Sequence, residues 1–373
     1  MSFFSYIFVG DNMKKFIPII LVIFLILPIK TKAFDSSASS AILMDMDSLR
    51  ILYSKDIHNV RSVASISKIM TCIVAIESGK LEENVTIGDE ILSAYGSGIY
   101  IKQGEQLKLI DLLYGLMLRS GNDAALAIAN YVGGSVDNFV VMMNEKAKEI
   151  GMKNSTFNNP SGLDAKEGNY STAYDMALLT SYAMKNDTYR KIVGTKKYVL
   201  TTNMNTYAWY NKNKLLKTYK YTTGGKTGFT EKARRTLVTT ASNNNLNLVV
   251  VTLNDGNDFQ DHKNLYEEAF ENYSSYKILK EGVINIYDDN YYIDKELYIK
   301  NSFSYPLKNG EKNNLYLKIE LNRNDEVNDG DIVGNVKVIN ESKELYETEI
   351  YVKSYEKKEY KWYQKIANWW KNL

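Results

Sequence analysis

The sequence predicts an α/β chain of the α+β kind: a first domain with strands at both ends and a helical lobe between, then a smaller β-rich domain. Three observations carry this. Ala41–Met46 and Leu49–Tyr53 flank a polar Asp47-Ser48 in a hairpin pattern. From Ser65 to Ile192, apolar residues recur at helical spacing in a series of segments. Between Thr236 and Val352 the apolar runs shorten to strand length, interrupted by one helical stretch, Asp261 to Tyr273.

The chain has 373 residues, which suits one large or two medium domains, and 45% hydrophobic content is enough for a real core. Charge is nearly balanced, 46 basic against 44 acidic residues, so no nucleic-acid or other polyanionic partner is implied. One cysteine excludes a disulfide within the chain. Two histidines argue against a histidine-based metal cluster or a Ser-His-Asp triad, and neither metal nor cofactor is expected. Cys72 falls on an apolar helical run and reads as a small core residue.

The N-terminus reads as an export signal over residues 1–33. Lys14 and Lys15 precede the apolar run Phe16 to Ile29, and Thr31-Lys32-Ala33 offers small residues for cleavage. The run is short for a membrane span. Met13 stands where translation would ordinarily start, so residues 1–12 read as an upstream extension. The mature chain then begins near Phe34, outside the cytoplasm.

Helices are expected over Ser65–Ser78, Leu109–Leu118, Asn122–Val132, Ser135–Ile150, Thr172–Lys185 and Thr188–Ile192, with loops at Gly96-Ser97-Gly98 and Gly104. Ser65 and Lys68 are three apart in the first turn of the first helix, so they share a face. A serine hydroxyl needs a base within hydrogen-bond reach. A lysine amine serves if burial and nearby positive charge lower its pKa. Alone, the pair reads more readily as a helix cap followed by a surface lysine. Two further triplets change that. Ser120-Gly121-Asn122 sits on a tight turn between helices, and Lys226-Thr227-Gly228 precedes a strand. S-x-x-K, S-x-N and K-T-G in this order are the signature of penicillin-binding proteins and class A β-lactamases.

Longer phrases sharpen the resemblance. Ala64-Ser65-Ile66-Ser67-Lys68-Ile69-Met70-Thr71, Ser120-Gly121-Asn122-Asp123-Ala124-Ala125, Phe157-Asn158-Asn159-Pro160-Ser161-Gly162-Leu163 and Gly225-Lys226-Thr227-Gly228-Phe229-Thr230 resemble the D-alanyl-D-alanine carboxypeptidases. These are the low-molecular-weight penicillin-binding proteins of the serine peptidase class. The resemblance runs from about Ser40 to Tyr276. It implies a penicillin-binding/β-lactamase-like transpeptidase fold, in which the first hairpin and the strands after Lys226 form one antiparallel sheet, with Ser65 at the junction of sheet and helical lobe. It implies Ser65 as nucleophile, Lys68 as base and Ser120 as proton relay. Asn122, Lys226, Thr227, Gly228 and Phe229 would bind substrate, with the backbone N–H groups of Ser65 and Phe229 as oxyanion hole. Lys226 would also help to keep Lys68 neutral. The substrate would be the pentapeptide stem of peptidoglycan, and β-lactams would acylate Ser65. A D,D-endopeptidase of the same fold is the alternative. A β-lactamase fits less well, because no E-x-x-L-N phrase lies between S-x-N and K-T-G. A silent wall-binding protein fits less well again, because every motif residue is intact.

The expected organisation is therefore a catalytic domain over 34–276, a β-rich domain over 277–355 and a terminal helix over 356–373. The β-rich segment shows strand-like runs at Val283–Tyr287, Tyr291–Ile293, Leu315–Leu321, Asp331–Val338 and Glu347–Val352. In the last stretch Trp362, Tyr363, Ile366, Trp369, Trp370 and Leu373 share one helical face, opposite Lys361, Lys365 and Lys371. That is the pattern of a helix lying on an anionic membrane surface. The location implied is the outer face of the cytoplasmic membrane or the cell wall.

One departure stands out. Some relatives place an arginine just before the closing helix to bind the substrate carboxylate, whereas Asn257-Asp258 stand there in this chain. Arg234 and Arg235 open the next strand, where successive residues face opposite sides. One of them should reach the cleft. A register slip of one residue exchanges them, and the reading leans to Arg235.

Overall fold

A computed structural model describes residues 35–164, 167–286, 291–292, 295–324 and 326–353. The export signal and the terminal amphipathic helix expected from the sequence lie outside these residues.

The α+β architecture is as expected. A five-stranded antiparallel sheet runs in the order β2-β1-β5-β4-β3, formed by β1 (Ser40–Asp45), β2 (Ile51–Lys55), β3 (Thr222–Thr230), β4 (Arg234–Asn243) and β5 (Leu246–Leu253). The hairpin at the chain start thus pairs with the last apolar strand, Ile42 opposite Val251 and Met44 opposite Val249. β1 is buried at every position, which suits a central strand covered on both faces.

The helical lobe fills the space between β2 and β3. Its centre is α1 (Lys68–Glu77), buried from Lys68 to Ile76. A helix apolar on all sides belongs in a core. Ser65 is not in this α-helix but in the 3-10 turn Ala64–Ser67 that leads into it. α2 (Leu109–Tyr114) is also shorter than its apolar run: Gly115–Arg119 widen into a π turn that ends at Ser120 in the left-handed region, φ 65°. π turns of this kind are frequent at functional sites. α3 (Asn122–Gly133), α4 (Val136–Ile150), α5 (Ala173–Ala183) and α6 (Asp187–Gly194) complete the lobe. Ser135, Thr172 and Asn186 cap three of them by accepting from the backbone N–H three residues on.

The closing helix, α7 (Asp258–Asn272), starts three residues earlier than its apolar periodicity suggests. It leads directly into the second domain. There β6 (Tyr273–Leu279) pairs with β8 (Phe303–Lys308), and a five-stranded sheet contains β7 (Glu296–Ile299), β9 (Leu315–Leu321), β10 (Ile332–Asn340) and β11 (Lys343–Lys353). The two sheets share an apolar core that includes Leu307, Val333, Val336, Ile350 and Val352.

Candidate active site

The helical lobe, the sheet edge and the start of α7 meet at a cleft of about 330 Å³, lined in part by Ser65, Ser120, Thr227, Gly228, Phe229 and Arg235. Two predicted residues, Lys68 and Lys226, lie just beneath, 0% and 2% exposed. Asn122 is buried beside Lys68.

Lys68 Nζ is held by three oxygens. It donates to Asn122 Oδ1 at 2.7 Å and to the Ser161 carbonyl, and it lies 3.1 Å from Ser65 Oγ. A neutral amine has two N–H donors and one lone pair. In the neutral form, with both donors spent on Asn122 and Ser161, the amine keeps its lone pair for the Ser65 hydroxyl, as a general base requires. The lysine pKa is pushed down to about 7, first by burial and then by the positive charge of Lys212, with Asp123 opposing.

Lys212 is the residue that sequence reasoning missed. It lines the cleft, its backbone N–H donates to the Leu118 carbonyl at 3.1 Å, and its Nζ donates to Ser97 Oγ at 3.1 Å. Lys212 is thus a positive neighbour of Lys68 in addition to Lys226, to which the sequence pointed. Lys226 is itself held well below the usual lysine range, by burial first and then by Lys68 and Lys212. Its Nζ donates to the Thr227 carbonyl at 2.7 Å. Lys212 belongs to no motif; its only sequence signal is a lysine among polar residues between S-x-N and K-T-G.

Loop contacts fix these side chains. Asn122 donates from Nδ2 to the Tyr95 carbonyl at 2.6 Å, and Asp123 accepts from the N–H groups of Ile99 and Tyr100 at 3.0 and 2.7 Å. The loop containing Ser97 is therefore tied to the start of α3. The phrase 157–163 is tied to α1 and to the turn before it: Thr71 Oγ1 donates to the Pro160 carbonyl at 2.7 Å, and Asn169 Nδ2 donates both to the Asn159 carbonyl at 2.8 Å and to Ser67 Oγ at 3.0 Å. Gly162, at φ +80°, passes so close to Ala64 that a Cβ would lie 2.1 Å from its carbonyl oxygen. Only glycine allows the Ser161 carbonyl to reach Lys68 there.

The sheet edge supplies the opposite wall. Lys226 pairs with Val238 and Gly228 with Thr236, and Thr236 Oγ1 donates to the Val63 carbonyl at 3.0 Å. This draws β3 against the Ser65 turn: a Cβ on Gly228 would stand 2.4 Å from Thr236 Oγ1 and 3.1 Å from Ser65 N. Phe229 is 57% exposed at the cleft, and its backbone pairs with Arg235. Of the two arginines, Arg235 lines the cleft and pairs with Asp258, whereas Arg234, at φ 57°, pairs with Glu231 outside it.

Among known sequences, residues 28–257 match the family model of the D-alanyl-D-alanine carboxypeptidases, and residues 273–358 that of the penicillin-binding protein 5 C-terminal domain. The chain is 36% identical over 228 residues to the D-alanyl-D-alanine carboxypeptidase DacF of Bacillus subtilis, a match covering 60% of this chain and 58% of that protein. It is 36% identical over 228 residues to DacC of Escherichia coli, covering 58% and 56%. The matched segment thus spans somewhat over half the length of these relatives. The crystal structure of penicillin-binding protein 5 from Haemophilus influenzae superposes with a TM-score of 0.74 at 27% identity, covering 87% of this chain and 98% of that one.

Proposed function

The chain belongs to the D-alanyl-D-alanine carboxypeptidase family, and from that premise we propose that it is an exported serine-type carboxypeptidase that removes the terminal D-alanine from peptidoglycan stem peptides. The observation that carries the reading is the buried Lys68 amine 3.1 Å from Ser65 Oγ, held also by Asn122 Oδ1 and the Ser161 carbonyl.

Ser65 Oγ attacks the carbonyl carbon between the two D-alanines while its proton passes to Lys68 Nζ. The developing oxyanion is met by the N–H groups of Ser65 and Phe229, which the close approach of β3 at Gly228 supports. The C–N bond then breaks, and the leaving amine takes a proton through Ser120. Asn122 holds Lys68 and the substrate amide. Thr227 and Arg235 receive the terminal carboxylate, whose negative charge favours protonation of the buried Lys226 beneath them. Water, deprotonated by the same lysine, releases the shortened stem and frees Ser65. A β-lactam, whose strained amide imitates the dipeptide, stops at the acyl stage. Residues 357–373, with aromatic and lysine faces segregated, attach the protein to the membrane surface.

The test is release of D-alanine from a pentapeptide stem together with labelling by a fluorescent penicillin, for the wild type and for Ser65→Ala. The wild type should do both and the variant neither. A variant that still labels at the wild-type rate sinks the assignment of Ser65.

A further inference from the structure

Arg235 and Asp258 make a side-on ion pair. Arg235 Nε donates to Asp258 Oδ2 at 3.1 Å and Nη2 donates to Oδ1 at 2.5 Å. A guanidinium carries five N–H donors in one plane. The side-on pair uses two of them. The end-on edge, made by Nη1 and the second hydrogen of Nη2, is left over, and that edge matches a further carboxylate with two parallel bonds.

The two partners are unequal. The Asp258 side chain is 6% exposed and that of Arg235 46%, so the acid is the anchor and the guanidinium the presented end. Asp258 is itself fixed at the first turn of α7, where negative charge is favoured, and its Oδ1 accepts from Phe259 N at 2.7 Å. The Phe259 ring supports the guanidinium, with its centroid 5.8 Å from Arg235 Cζ. All three residues line the cleft that contains Ser65 and Thr227.

We propose that Asp258 is a positioning residue, which holds Arg235 side-on so that the end-on edge of the guanidinium faces the cleft and receives the substrate's terminal carboxylate together with Thr227. The proposal rests on reading the cleft as a peptidase site. Without Asp258 the long arginine side chain has many rotamers to lose on binding, so the substrate itself must supply the ordering.

The experiment measures kcat and KM of the full chain on a peptide ending in D-Ala-D-Ala and on the same peptide with an amidated C-terminus. Asp258→Asn keeps one acceptor but turns an NH2 group against the guanidinium. It should raise KM for the free acid about three- to tenfold with kcat nearly unchanged, the loss expected when one charge-assisted contact is loosened. The amidated peptide should show no such rise, and Asp258→Glu should recover part of the loss. The double exchange Arg235→Asp with Asp258→Arg returns a guanidinium to the same cleft, and should recover most of what Arg235→Asp alone forfeits. A purely structural role would move both peptides together. An unchanged or lower KM for the free acid in Asp258→Asn overturns the proposal. If the double exchange does not fold, the split between acid and amide in Asp258→Asn decides alone. Failure of the peptidase reading looks different: the wild type would release no D-alanine and take up no penicillin label.

Discussion

The two domains treat charge in opposite ways. The first buries Lys68 and Lys226 almost completely, and places Asn122, Asp123 and Ser120 in the same interior. The second, among its described residues, buries no charged group; Thr348 is its one buried polar residue. Its charges instead form ladders on the sheet surface, where Lys337 reaches Glu344 and Glu347 at 3.5 Å and Glu320 at 3.9 Å. Burying an amine costs stability unless the group gives up its charge. The first domain accepts that cost where an amine must stay neutral and basic near pH 7. The second is an apolar sandwich with no such demand. The contrast separates the part of the molecule built for chemistry from the part built for packing.

Removing a lysine from each region should break the contrast most sharply. Lys68→Ala removes the proton acceptor and should slow penicillin acylation by about 10²- to 10⁴-fold without loss of fold. Lys337→Ala removes only surface ion pairs and should leave the melting temperature and kcat/KM nearly unchanged. Stopped-flow acylation and thermal melting of the two variants measure both. Similar kinetic losses in the two would erase the distinction.

Within the first domain, Lys212 sharpens the point. Lys68 must be neutral to act, so kcat/KM should rise with pH through about 7 and fall away below it. The charged groups acting on it are Lys212 and Asp123, and it is coupled to Lys226 across the site. Lys212→Met removes a positive neighbour, which makes the protonated form of Lys68 less unfavourable. The acid limb should then move up by about one pH unit, giving a loss at neutral pH that recovers at higher pH. Lys212→Arg keeps the charge and should keep the limb. A pH profile of kcat/KM that Lys212→Met leaves in place would show that burial alone tunes Lys68.

These residues also mark where the sequence was readable. The three triplets stand out because each needs particular side chains in short succession, and the structure brings them to one cleft. The Ser161 contact did not stand out, although its phrase resembled the family. The acting atom is a backbone carbonyl, which every residue has, and only the φ +80° of Gly162 places it. Ser97 and Lys212 enter through loops whose course depends on Asp123 and Leu118, far from them in sequence. The choice between Arg234 and Arg235 turned on strand register, which pairs Arg235 with Phe229. The π turn before Ser120 was invisible because Leu109 to Leu118 has unbroken helical periodicity. The start of α7 lies before its apolar periodicity begins, and Asn257 there makes no side-chain cap.

The mildest perturbation lies where the two regions touch. Arg50, at the first hairpin, extends into the second domain. Its guanidinium donates to both carboxylate oxygens of Glu311, at 2.8 and 3.0 Å, and to the Pro306 carbonyl. The rings of Tyr273 and Tyr305 lie beside it, with centroids 5.4 and 5.0 Å from Cζ. Such a half-buried group serves as hydrogen-bond donor, ion and packing surface at once. Arg50→Ala leaves Glu311 without its partner and opens space between two aromatic rings. The loss should be about 1–3 kcal/mol of domain docking, seen as a single melting transition splitting in two, and as faster proteolysis near the start of β6. Turnover should not change, because no group of the cleft depends on Arg50. The pair also carries a pH signature. Arg50 holds the Glu311 carboxyl below its ordinary value of 4.5, so its contribution is present above that pH and fades as the pH falls below it. In Arg50→Ala that acid-side loss should be weaker than in the wild type. If the variant melts as the wild type does at neutral pH, the shared apolar contacts alone hold the domains together, and the charge contrast between them has no bridge.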